Sequence, residues 1–129
     1  MVVADGEGIP LAISLHLASP NEQTHVEETL KGLRKLPRRL IADRGYDSEP
    51  LRIKLRDRGI DLIAPVRRCK FKSIQDGRKL KRYRHRWKIE RTMAWLSHYR
   101  RLVTRWEVHH QTYEAFVKIT CALITYRYL

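Results

Sequence analysis

The chain has 129 residues, enough for one modest domain that buries roughly two thirds of its unfolded surface. Lysine and arginine number 27 against 14 aspartates and glutamates, a net charge of +13. That surplus points to a polyanionic partner, with nucleic acid ahead of an acidic membrane surface or a merely solubilising basic coat. No low-complexity tract and no membrane-length apolar run is present, and the opening MVVADGEGIPLAISLHL lacks the basic start of a signal peptide. Cys69 and Cys121 share no metal-ligand spacing and read as reduced thiols, so the expected setting is cytoplasmic with no membrane partner.

The elements follow in order. Val2 to Ala4, the turn Asp5-Gly6-Glu7-Gly8, and Ile9 to Leu17 read as a hairpin. Ser19-Pro20-Asn21 breaks the second strand. Asn21 is placed to cap a helix to about Leu33, with Val26, Leu30 and Leu33 on its buried face. Arg39 to Ala42 reads as a short buried strand running into Asp43-Arg44-Gly45-Tyr46. Ser48 and Pro50 open a helix to about Arg58, which Gly59 closes, and Asp61 to Pro65 is another strand. Strand, helix and strand at this spacing predict a parallel βαβ unit. Val66 to Lys79 is a basic loop. A helix is expected over about Leu80 to Tyr99, a less regular link over Arg100 to His110, and a mostly buried helix over Thr112 to Tyr128. The whole is an α/β fold in a single domain, 1–129.

Three features carry chemistry. Asp43 falls at the carboxyl end of a parallel strand, where ligands bind in open α/β sheets, and a rigidly held carboxylate there suits a metal ion. The plainer reading is a loop cap. Tyr83, Arg86 and Glu90 fall on one polar stripe of a helix whose apolar side is Ile89, Met93 and Leu96. The plainer reading is a surface Arg86–Glu90 ion pair. Third, Arg67, Arg68, Lys70, Lys72, Arg78, Lys79, Lys81, Arg82, Arg84, Arg86 and Lys88 form a basic run opposed only by Asp76. Phe71, Tyr83 and Trp87 are interleaved. The cations neutralise phosphates and the aromatic faces can stack on bases. The six histidines are scattered. His109-His110 lacks the second pair that a zinc site needs, and there is no nucleophile elbow and no P-loop.

The segments LIADRGYDS and YRHRWKIERTMAWLSHYRRLVTRWE resemble the C-terminal catalytic half of bacterial insertion-sequence transposases, of the insertion-sequence-four and insertion-sequence-five groups with a DDE triad. The family pattern is Tyr, two residues, Arg, three residues, Glu, six residues, Lys. Tyr83, Arg86 and Glu90 match it, whereas Ser97 stands where Lys is expected, with Arg100 or Arg101 as candidate substitutes. The resemblance runs over nearly the whole chain. It implies an RNase H-like fold, with Asp43 as the second catalytic Asp and Glu90 as the catalytic Glu. The family's first Asp lies on a central strand preceding the hairpin, and no residue here matches it, Asp5 being turn chemistry.

That resemblance further implies two Mg²⁺ or Mn²⁺ ions in a complete enzyme, held by carboxylates that suit hard cations. It implies double-stranded DNA partners, namely terminal inverted repeats and target DNA, bound by Tyr83, Arg86, Trp87 and the basic run. A homodimer on DNA and an upstream-frame product supplying the missing strand are further expected partners. The rival expectation is a non-catalytic DNA-binding remnant or inhibitor derived from a transposase.

Overall fold

The computed structural model describes residues 1–16, 21–66 and 77–128, with the side chain of Lys79 outside that set. The hairpin forms as expected but is shorter. β1 (Val2–Ala4) pairs antiparallel with β2 (Pro10–Ile13), with an irregular register at Val3/Ala4 where Ala4 faces Pro10. Pro10 has no N–H to donate, so it disturbs the ladder there. Asp5 makes the turn by accepting the Glu7 and Ile9 N–H groups on Oδ1, at 2.8 and 2.9 Å.

Asn21 caps through its side chain, accepting from Gln23 N, but the first turn it caps is 3-10 (Glu22–His25) before α1 (Val26–Lys31) begins. β3 (Arg39–Ile41) and β4 (Asp61–Ile63) pair in parallel across α2 (Glu49–Asp57), as the βαβ spacing predicts. Pro50 sits in the first turn of α2, and Gly59 past its end adopts φ +75°, which favours glycine. Val26, Leu30, Leu51, Leu55, Ile60, Leu62 and Ala64 form the core that joins α1 and α2 to this sheet. β3 differs from expectation in being only partly buried, with Arg39 exposed.

The helix expected over Leu80–Tyr99 is three pieces: α3 (Gly77–Leu80), a 3-10 stretch (Lys81–Arg86) and α4 (Trp87–Ser97). Lys81/His85, Arg82/Arg86 and Arg84/Lys88 would each set basic groups four apart in an α-helix, which opposes that geometry by a few tenths of a kcal/mol per pair. The 3-10 stretch also lies against β3. Nor is Met93 on the apolar side. It is 52% exposed, while Thr92 and Leu96 are the buried residues of α4. α5 (Arg100–Val103) interrupts the link. α6 (His110–Tyr126) starts earlier than expected and is one-sided rather than mostly buried. Val117, Thr120 and Ile124 face inward, whereas Ile119, Leu123 and Tyr126 are exposed. α1, α4 and α6 all contact the hairpin. Among the described residues no helix is long and apolar enough to cross a membrane.

Candidate active site

Asp43 lies two residues past β3 and caps the 3-10 turn Arg44–Tyr46, its Oδ1 accepting the Gly45 N–H at 2.7 Å. The loop is held from both sides. Gln23 donates to Gly45 O at 2.6 Å, and the Tyr46 hydroxyl donates to Glu22 Oε2 at 3.1 Å. Burial, the Glu22 bond and the charges of Glu22 and Asp43 push the Tyr46 phenol well above its ordinary range. Downstream, Asp47 pairs with Arg52 at 3.0 Å, and Arg52 also donates to the carbonyls of Leu62 (3.0 Å) and Ala64 (2.8 Å). One guanidinium thus ties the Asp43 loop, α2 and the end of β4 together. The sequence alone does not single out Gln23 or Arg52, whose carbonyl partners lie 10 to 22 residues away.

Glu90 lies in the first turn of α4 and pairs with Arg86. In the 3-10 stretch, residues three apart eclipse. Tyr83 and Arg86 are therefore superposed, with the guanidinium 5.9 Å from the Tyr83 ring centre. Tyr83, Arg86 and Glu90 remain on one stripe although the helix is not continuous. Asp43 and Glu90 are both exposed and offer oxygen donors fit for a hard cation, each with one oxygen already engaged.

A cleft of about 880 Å³ runs between the two small sheets. All three residues of β1 and all three of β3 line it, with Arg82, His85, Arg86, Lys88 and Ile89. Each of these strands pairs on one side only, and among the described residues the two sheets do not join. Ile41 and Ile89 line the cleft, but neither Asp43 nor Glu90 does.

Residues 1–125 match the family model described as the transposase DDE domain. The chain belongs to the DDE transposase family. It is 41% identical, over 99% of its own length, to a Burkholderia cepacia protein described as "Putative transposase for insertion sequence element IS402". The match spans 62% of that relative's length. No solved structure matches the chain.

Of the basic residues singled out in this DDE transposase-family chain, Lys81, Arg82, Arg84, Arg100 and Arg101 are exposed. Trp87 is half-exposed, with Arg91 stacked 5.0 Å from its ring. Lys88 is engaged instead with Gly6 O and Glu7 of the hairpin turn. Arg101 pairs with Glu107 at 3.0 Å and sits 4.8 Å from the Phe116 ring centre. Ser97 donates to Ala94 O, back into its own helix. Arg67, Arg68, Lys70 and Lys72 lie outside the described residues, as does the side chain of Lys79.

The hairpin turn meets the Glu90 helix at Gly8. Gly8 is buried at φ +79°, and a Cβ there would meet Lys88 O at 2.9 Å. The buried Thr92 hydroxyl donates to Gly8 O at 2.5 Å. The histidines are also less scattered than the sequence suggests, because folding stacks His16 on His25.

Proposed function

We propose that this chain is the C-terminal portion of an RNase H-like transposase catalytic domain that hydrolyses and transfers DNA strands at insertion-sequence ends. The observation that carries the reading is the placement of Asp43 and Glu90. One follows a parallel strand, and the other follows the 3-10 stretch that contacts that strand. On this reading a further strand, bearing the third carboxylate, would join β1 to β3, which are unpaired on their other sides among the described residues. The reading assigns it to a polypeptide segment outside residues 1–129, such as an upstream-frame product.

Asp43 and Glu90 would hold Mg²⁺ or Mn²⁺, which when bound lowers the barrier to in-line attack at phosphorus. Arg86 pairs with Glu90 in the structure and, if that carboxylate held a cation, would be available to a phosphate. Lys81, Arg82, Arg84, Arg100 and Arg101 offer exposed cations for the duplex backbone, and Trp87 an exposed ring for an unpaired base. The second reading, a DNA-binding remnant, is favoured by the Arg86–Glu90 pair, since a carboxylate neutralised in place needs no metal.

Mn²⁺ calorimetry with a supercoiled-plasmid cleavage assay tests the reading. Residues 1–129 should bind Mn²⁺, lose that binding in Asp43→Asn and Glu90→Gln, and cut plasmid only when the missing strand is supplied. Binding indifferent to both substitutions supports the remnant instead. Robust cutting by the chain alone, lost in Asp43→Asn, would show that no third carboxylate is missing.

A further inference from the structure

Where β2 leads toward α1, His16, His25 and Glu28 bring one ligand atom each within 4.8 Å of one another. The imidazoles stack at 3.5 Å between centres and 9° between planes. Nδ1 of His16 lies 3.7 Å from Glu28 Oε2, and Nδ1 of His25 lies 3.9 Å from the same oxygen. Both rings are largely buried, while Glu28 is open to solvent.

One consistent set of hydrogen bonds gives this cluster a polarity. The Thr29 hydroxyl has one proton, and its neighbours His25 O (2.8 Å) and Met1 Sδ (3.2 Å) can only accept. When that proton goes to His25 O, Ser14 Oγ, 2.5 Å from Thr29 Oγ1, donates to Thr29. Ser14 has then spent its proton, so His16 Nε2, at 2.8 Å, donates to Ser14. A neutral imidazole with its proton on Nε2 presents a lone pair at Nδ1. In His16 that lone pair faces a carboxylate, with no proton between them.

His25 is worse served. Its Nε2 is buried without a partner, and its Nδ1 is too far from Glu28 for a hydrogen bond.

We propose that His16 Nδ1, His25 Nδ1 and the Glu28 carboxylate bind a divalent ion of the zinc class, with solvent completing its coordination. Two imidazoles and one carboxylate are a zinc-type set, chemically distinct from an all-oxygen magnesium site. Bonds of about 2.0–2.1 Å put tetrahedral ligand atoms about 3.4 Å apart, so the two gaps to Glu28 close by a few tenths of an ångström. The rings must swing out of their stack for the lone pairs to converge, and the exposed Glu28 can follow. Ser14 serves as the outer partner that fixes the His16 tautomer. The ion would pin the end of β2 to α1, one turn from the Glu22 and Gln23 contacts that hold the Asp43 loop. It acts as a structural tie, and its existence does not depend on the DNA reading.

The test titrates the full chain, stripped with a chelator, with Zn²⁺ by calorimetry and Co²⁺ by visible absorption at neutral pH. One ion per chain is expected, with the d–d bands of low-coordinate Co²⁺. Glu28→Gln should weaken binding by about 10-fold or more, and Ser14→Ala by roughly 10- to 100-fold. His98→Asn should leave it unchanged. No saturable uptake overturns the proposal, as does uptake equal in wild type and Glu28→Gln, or loss in His98→Asn instead. Ring ¹⁵N spectra of the unsubstituted chain avoid any folding defect. Zn²⁺ must move the Nδ1 resonances of His16 and His25, and resonances that stay put overturn the assignment.

Discussion

Replacing Gly8 by alanine should unfasten the hairpin from the Glu90 helix. Two costs add at that position. The φ of +79° is a left-handed conformation that costs an L-residue about 1–2 kcal/mol. The new methyl would also stand 2.9 Å from the Lys88 carbonyl, 3.2 Å from Thr92 Oγ1 and 3.3 Å from an Arg91 nitrogen. The carbonyl is helix backbone and cannot rotate away, so overpacking adds about 1–3 kcal/mol. The sum, about 2–5 kcal/mol, is a large part of the roughly 5–15 kcal/mol that holds a typical domain together. Two other glycines separate the terms. Gly59 has φ +75° with nothing near its Cβ position, so Gly59→Ala reads the conformational cost alone. Gly6 has open space and a φ outside the left-handed region, so Gly6→Ala should stay within about 0.5 kcal/mol of wild type. Urea unfolding followed by far-UV circular dichroism measures all three. If Gly8→Ala proved no more destabilising than Gly59→Ala, the close approach of hairpin and helix would be refuted.

Two further outcomes are expected. Asp47→Ala leaves the largely buried Arg52 guanidinium without its counter-charge, though still bonded to two carbonyls, and should cost about 2–3 kcal/mol in urea unfolding. A loss below about 0.5 kcal/mol would mean that Asp47 does not anchor the loop. Tyr46 gives the pH test. Its folded pKa lies above the unfolded value of about 10, so above that pH the folded chain holds more protons than the unfolded one. This contribution to stability is present below pH about 10 and is lost as pH rises through the folded pKa. Thermal melts from pH 8 to 11 should therefore fall more steeply for wild type than for Tyr46→Phe, and parallel curves would contradict the burial of the phenol.

Periodicity and turn chemistry in the sequence predicted most of the scaffold. The Asp5 turn, the Asn21 cap, Pro50 and Gly59 mark boundaries through interactions that span only a few residues, and these formed where expected. Elements that answer to distant neighbours departed from expectation. The basic stretch Lys81–Arg86 became 3-10 against β3, the terminal helix proved one-sided, and Met93 faced solvent while Thr92 turned inward to reach Gly8. The site divides in the same way. Tyr83, Arg86 and Glu90 are near in sequence, and their stripe was legible because helical spacing alone creates it.

Composition, short-range spacing and the two motifs were enough to determine the charge, the βαβ unit and the family of this chain. Only the tertiary structure decided which groups 9 to 84 residues apart would meet: His16 with His25, Gln23 with Gly45, and Thr92 with Gly8. The physical reason is that local spacing fixes backbone geometry through bonds made within a turn or two. Contacts between elements depend instead on how whole faces pack, and no single stretch of residues encodes that.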